Sequence, residues 1–355
     1  MMTSLLFVLG TLFIFSYPFF IFQFAIFCCV FVQQGFKLER NSVFFIAISA
    51  LSLMIHLYMG SVNKIYLFTS VCCLLAATVP SLYEYCNAKI ENIKWERLIN
   101  VGIYFHIVTF LIQYISFKVF HIDIDYGKLL LGPPHRSSYN GFDYRATGVF
   151  AEPSIFAAHM ICLLVMKYVI ARSNSLLTYV ALFCMVLSGS TVSVLSVLAY
   201  FIITIKFTLK WLKNDFLPFL FLMPSILGNL FWRGAYISSG NDGSTTFKID
   251  LIKSFLNDLS VFNIGYGMVG YYKGAPEYLQ SIFDVTVFGS SLIVFGFWFG
   301  AFVSLVWMSV FYKVSKISIR LSILCLLPCL KLTFLFPIFW LYLKFLNEYV
   351  RKDDE

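Results

Sequence analysis

A chain of 355 residues that is 60% hydrophobic, 12% charged and has a mean hydropathy of +0.83 falls outside the soluble globular class, where apolar residues make up about half and charged ones about a quarter. Its net charge of +8 would suggest nucleic acid in a soluble protein. Here the Lys and Arg residues are mostly spread over short connectors between apolar runs, as orientation signals are, so no nucleic-acid partner is read.

The apolar runs have the length of helical spans and lack the alternation of a barrel. The expectation is an all-α polytopic transmembrane bundle of about 11 or 12 helices, one integral membrane domain over 1–355. Its first apolar stretch, 2–32, is one tilted helix or two short ones broken near Pro18. It lacks the basic start and small-residue cleavage site of a signal peptide, which predicts a retained first helix. Spans follow at 43–60 and 65–83, then a basic connector over 84–98 and a span at 99–120. A polar loop runs over about 121–153. Next come a helix at 154–171 and two spans, 176–187 and 191–209, that meet at the small polar segment SGST. After a span at 216–231, a second long polar loop covers about 232–284. A span at 285–312 precedes two last spans divided near Leu330 and Lys331. Placing 33–42, 84–98, 172–175, 206–215, 313–320 and the tail on one side gathers the basic short connectors there. The positive-inside rule makes that side cytoplasmic and puts both long loops on the outer face. The cysteines, nine in all, lie almost entirely in apolar runs, so neither a disulfide frame nor a zinc site is indicated.

The stretch RATGVFAEPSIFAAH, 145–159, sets a guanidinium and a carboxylate where the first polar loop returns to the membrane. Pro153 suits the first turn of a helix, and Glu152 then lies at the positive end of its dipole. The second loop returns with Asp284. Arg136, Arg233, Lys248, Lys253 and Lys273 add cations on the same face. Binding a pyrophosphate-bearing lipid needs this pattern, with guanidinium forks for phosphate oxygens at headgroup depth and a carboxylate to take a proton from an incoming hydroxyl. The plainer readings stand beside it. Single interfacial cations snorkel to lipid phosphates, and Asp284 caps a helix beginning at Val285. His159 shares a helical face with Glu152, which fits either a shared cavity or a packing role. His56 and His106 are intramembrane ionisable groups with no partner to name. Tyr139, Tyr144, Tyr236, Tyr266, Tyr271, Tyr272 and Tyr278 in the outer loops fit sugar stacking, or the interfacial belt, which is the commoner role. Asp123 and Asp125 make a poor metal cage, so no metal is predicted. Walker, HExxH, paired-cysteine and GxSxG motifs are missing from the sequence.

The run Arg145, Gly148, Phe150, Glu152, Pro153, Ser154 resembles the RxxGxFxEPS signature at the external loop-to-helix junction of O-antigen polymerases. Further likeness lies in the SGST turn, in a second outer loop with Arg233 and NIGYG (263–267), and in Asp284, Gly289 and Gly296. By topology the resemblance covers most of the chain, and by motif about 30 residues. It implies a metal-independent, cofactor-free glycosyltransferase of the integral-membrane C type, related in architecture to O-antigen ligases. Donor and acceptor would both be undecaprenyl-pyrophosphate-linked oligosaccharides, with the lipid bilayer as surroundings and a chain-length regulator protein as a candidate partner. By the same analogy Arg145 binds the donor pyrophosphate and Arg233 assists. Arg136, Lys248, His159 and Tyr144 are further candidates for substrate binding. Glu152 or Asp284 is the base or orients the acceptor hydroxyl. One departure is that Lys248 stands where relatives often carry a second-loop arginine. The rival readings are the ligase and a non-enzymatic flippase of the same lipid-linked units; a flippase would spread its charges along helix interiors, whereas here they gather on one face.

Overall fold

The computed structural model describes residues 7–8, 10–12, 25, 38–89, 95–130, 134–136, 144–205, 216–238 and 243–354. Every regular element among them is helical. In chain order they are α1 Arg40–Tyr58, α2 Lys64–Lys89, α3 Trp95–Phe120, α4 Tyr126–Leu129, α5 Pro153–Ala171, α6 Leu176–Leu187, α7 Thr191–Thr204, α8 Phe216–Ser238, α9 Gly243–Asn257, α10 Leu259–Ile264, α11 Val287–Ile317, α12 Ile319–Leu326 and α13 Pro337–Asp354, with 3-10 turns at Glu277–Ser281 and Leu327–Leu330. The expected arrangement of 2–32, the connector 206–215 and Tyr139 lie outside the described residues.

Among the described residues, five helices are long and apolar enough to cross a membrane: α1, α2 over Lys64–Ser81, α3, α5 and α11. Helices α6 and α7, the segment Leu222–Phe231 of α8, and α12 with its 3-10 continuation are apolar but shorter. The predicted spans coincide with helices to within a few residues where apolar runs are bounded by charge or by Pro and Ser. The end of the chain differs, because α13 turns polar from Asn347 onward. The second long loop, over 232–284, differs more. It is mostly helical, with α8 running on to Ser238 and α9, α10 and a 3-10 turn following. Phe247, Leu251 and Phe255 recur every four residues inside a polar stretch, and that spacing is enough to give α9 a buried face at Leu251 and Phe255.

The chain divides into two compact units. The first comprises Met1–Phe22, Cys86–Ser238 and Ser318–Pro328. Its centre is α5, which touches α3, α6, α7 and α12 and is buried without interruption from Phe156 to Val169. A helix apolar all round belongs in such a central position. Against lipid, apolar burial gains packing but little hydrophobic free energy, so polar contacts must fix the register. One such contact joins Thr11 to α3. The Thr11 hydroxyl donates to the Val8 carbonyl at 2.7 Å, which leaves its oxygen to accept from His106 Nε2 at 3.0 Å.

The second unit comprises Gln23–Tyr85, Ser239–Ile317 and Cys329–Glu355. Its core is aromatic. Phe45 of α1 packs at 4.8 Å on Trp340, 5.3 Å on Phe334 and 5.8 Å on Phe295, and Trp307 closes the cluster. Helix α11 is broken at Gly296, whose φ of 75° and ψ of 170° interrupt the helical ladder. The carbonyls freed by the break accept from another segment, Ile293 O from the Tyr266 N–H and Val294 O from the Gly267 N–H, both at 2.9 Å. Non-helical backbone at membrane depth needs that kind of pairing. The NIGYG stretch thus completes the α11 helix.

Candidate functional site

In the first unit, the segment from Arg145 to Phe150 is held by Gln113 of α3. The Gln113 Oε1 accepts from the Thr147 and Gly148 N–H groups at 2.7 and 2.8 Å, and its Nε2 donates to the Ile124 carbonyl at 2.9 Å. One buried amide therefore satisfies three backbone groups of loop one, as a low-dielectric setting demands. Gly148, at φ 59°, supplies the left-handed turn that lets the chain double back beneath it. Phe150 then packs on His106 at 5.2 Å and on His159 at 4.4 Å.

Arg145 projects from this frame toward the SGST turn that joins α6 to α7. Its Nη1 donates to the Gly189 carbonyl at 3.4 Å. Gly189 has φ 63°, and a Cβ there would lie 3.1 Å from the Arg145 Cδ, so the glycine admits the side chain to the turn. The helix that follows starts at Thr191 with Ser190 as N-cap, and the Ser190 side chain makes no capping bond. A guanidinium and an N-terminus uncapped by its own serine thus share one end of the unit.

Glu152 is the N-cap of α5 but does not cap with its side chain, and Pro153 takes the first helical position. Its carboxylate accepts instead from Arg136 Nη1 at 2.8 Å and from Ser154 Oγ at 3.2 Å. The Arg136 N–H also donates to the Ala151 carbonyl at 2.7 Å. Arg136 is placed there by its neighbour. His135, whose side chain is 2% exposed, sits between Asp123 Oδ1 and Asp125 Oδ1, each 3.0 Å from a ring nitrogen. The Tyr144 hydroxyl donates to the same Asp123 oxygen at 2.8 Å, and its ring stacks on Phe117 at 3.7 Å. Burial and the adjacent Asp123 carboxylate both push the Tyr144 hydroxyl well above its ordinary pKa. HIDID is thus the receiving half of a clasp that fixes loop one.

This clasp is acid-sensitive with a definite sign. Burial alone would raise the Asp125 carboxyl, but the Lys128 N–H and the ring and N–H of His135 outweigh it and hold the group below its ordinary value. A depressed folded pKa stabilises the fold fully above the unfolded pKa and is lost as pH falls through the folded one. Asp125→Asn is therefore expected to lower the thermal midpoint by a few degrees at pH 7. The gap between variant and wild type should narrow below about pH 4. A gap that stays constant across a pH series of melting curves would remove the carboxylate from the clasp.

Other sequence candidates are placed as follows. His159 is fully buried, and its Nδ1 donates to the Ile155 carbonyl of its own helix at 2.9 Å; with Phe150 against its ring, its surroundings are those of a packing histidine. Arg233 lies on α8, and its side chain is outside the described residues. Lys248 lies on α9, half-buried. In the second unit Asp284 does not cap a helix. Helix α11 begins at Val287, and the cap is the Thr286 hydroxyl, which accepts from the Gly289 N–H at 3.1 Å. The Asp284 carboxylate pairs with Lys331, whose side chain is buried. Glu152 and Asp284 thus fall in different units, and each carboxylate has its own cation.

Three residues in these arrangements escaped the sequence reading. Gln113 and Lys331 are single polar side chains in apolar surroundings, which is itself a signal when every unpaired polar group in a membrane is costly. His135 stood beside a recognised cation, and only its distance in sequence from HIDID hid the pairing. Chemically, the first unit offers a guanidinium, a helix start that its N-cap serine side chain leaves uncapped and a carboxylate paired with an exposed arginine. Those groups suit an anion and a proton transfer. No family model, curated protein or solved structure matches the chain.

Proposed function

We propose that this protein is an O-antigen polymerase of the multi-pass inner-membrane kind, joining undecaprenyl-pyrophosphate-linked oligosaccharide repeats at the periplasmic face. The observation that carries the reading is the approach of Arg145 to the SGST turn at the start of α7. A pyrophosphate seated there would meet a guanidinium fork and helix N–H groups together. The signature RxxGxFxEPS and the gathering of cations in the two outer loops support the same reading.

In this chemistry the acceptor hydroxyl oxygen bonds to the anomeric carbon of the growing chain. The bond from that carbon to the pyrophosphate oxygen breaks, and its electron pair leaves with undecaprenyl pyrophosphate. The hydroxyl proton passes to a carboxylate, Glu152 or Asp284. Arg145 and the α7 dipole offset the charge that develops on the leaving group. Arg136 pairs with Glu152 and holds it in place until a diphosphate competes for the guanidinium.

The lipopolysaccharide ladder of a deletion host tests this. Without the gene, core bearing a single repeat is expected. Wild type restores the ladder, and Glu152→Gln restores little of it. Bare core without any repeat would sink the polymerase reading in favour of a ligase or a flippase.

A further inference from the structure

The remaining surface feature with a physical address is the outer side of α9 and α10. Helix α9 has two apolar faces. Leu251 and Phe255 are buried, and the helix lies along the 3-10 turn Glu277–Ser281. On the other face Ile249, Ile252 and Leu256 are 46%, 44% and 60% exposed, and Leu259 at the head of α10 is 76% exposed. Ile249, Ile252 and Leu256 follow a helical repeat and form one stripe, and Leu259 follows it across the extended residue Asp258. Lys253, exposed, borders it on one side, and Lys248, half-buried, on the other.

The depth of this stripe follows from α11. Beyond the break at Gly296, the run from Phe297 to Ile317 is about 31 Å long at ~1.5 Å per residue, the thickness of a bilayer's hydrocarbon core. Its lipid-facing side carries Trp298, Phe302 and Leu305, exposed by 67%, 52% and 67%. Trp298 stands in the first turn, at the level where tryptophan prefers to sit between hydrocarbon and headgroups. Helix α10 is fastened at that level. Asn263 Oδ1 accepts from Trp298 Nε1 at 3.1 Å, and Phe262 stacks on Phe297 at 5.0 Å. Through α10, which packs on both α9 and α11, the exposed stripe adjoins α11 at that level.

We propose that α9 and α10 form an interfacial anchor that lies in the membrane surface, with Ile249, Ile252, Leu256 and Leu259 inserted among acyl chains and Lys253 and Lys248 reaching lipid phosphates. A helix with this division of residues partitions into the headgroup boundary, helped by its cations on anionic lipid. The anchor fixes the depth of the Tyr266–Gly267 strap that completes α11, and with it the segment leading to Asp284. This assignment needs only the membrane setting and stands whether or not the protein transfers sugars.

The test uses full-length protein in lipid nanodiscs of phosphatidylethanolamine and phosphatidylglycerol. An environment-sensitive dye is attached to single introduced cysteines, Ile249→Cys, Ile252→Cys and Leu256→Cys on the stripe, and Thr246→Cys and Asn257→Cys off it. Wild-type protein labelled in parallel gives the background. All five positions are exposed, so the fold tolerates the changes. Dye on the stripe is expected to emit to the blue and to be quenched by shallow nitroxide lipids roughly threefold or more above the controls. Water-like emission and equal quenching at all five positions would overturn the anchor. A blue shift without lipid quenching, seen only with two copies in a disc, would also overturn it and assign the stripe to a contact between copies.

Discussion

Replacing Arg145 with alanine is expected to lower chain extension by about two to three orders of magnitude while leaving the protein folded and in the membrane. The separation of the two effects rests on geometry. The backbone around Arg145 is held by Gln113 through the Thr147 and Gly148 N–H groups, and Phe150 is packed between helices, so trimming one side chain leaves the frame standing. What disappears is the guanidinium beside the α7 start. Arg145→Lys is the sharper probe, because it keeps the charge and loses the planar fork. Partial activity, well below wild type, is expected for lysine if two phosphate oxygens are grasped at once. The readout is ladder length in the complemented deletion host, alongside the melting midpoint of each purified variant. An alanine variant with full ladders would remove Arg145 from the reaction, and a variant that no longer folds would show that the arginine serves the SGST turn instead.

Much of the first unit was legible in the sequence. Pro153 marks the start of α5 because a proline loses nothing at the first turn, and α6 ends where an SGST segment interrupts an apolar run. Glu152 and Arg145 are legible as charges at one boundary. Their immediate partners are not, because Arg136 and Gly189 reach them across 16 and 44 residues and no local pattern encodes such a distance. The second unit was less legible for a related reason. Hydropathy runs unbroken through Gly296, so the sequence reads as one span, and a glycine inside a helix is tolerated often enough to carry no message alone. The break becomes compulsory only when another backbone lies against it. Likewise the stretch that forms α9 reads as loop by its polar composition, although its apolar spacing is helical. Lys331 reads locally as a divider between spans, because its partner Asp284 lies 47 residues away.

The largest loss of stability is expected from Gly296→Ala and Gly265→Ala. Gly296 has φ 75°, and a Cβ there would lie 2.2 Å from the Asn263 carbonyl oxygen; at Gly265, φ 82°, it would lie 2.3 Å from the Val294 oxygen and 2.4 Å from the Gly296 nitrogen. The two glycines thus face each other across a contact between main chains, and neither side has a flexible atom to move aside. With ψ near 170°, Gly296 also occupies a region of backbone space that is almost closed to other residues and costs about 1–3 kcal/mol when forced. Separating the chains would in addition break the bonds to Ile293 and Val294, worth about 1 kcal/mol each when water replaces them and more where none can enter. The sum, roughly 4 kcal/mol or more, is a large part of a typical folding free energy of ~5–15 kcal/mol. Two controls separate conformational strain from overlap. Gly274→Ala meets nothing within 4 Å at φ 91°, and Gly228→Ala meets nothing within 4 Å inside α8, so the first should cost only strain and the second should be neutral or slightly stabilising. Melting midpoints and monodisperse yield in detergent, compared across the four variants, decide the matter. If Gly296→Ala melts with Gly228→Ala, the contact between NIGYG and the broken helix is not what holds this unit together.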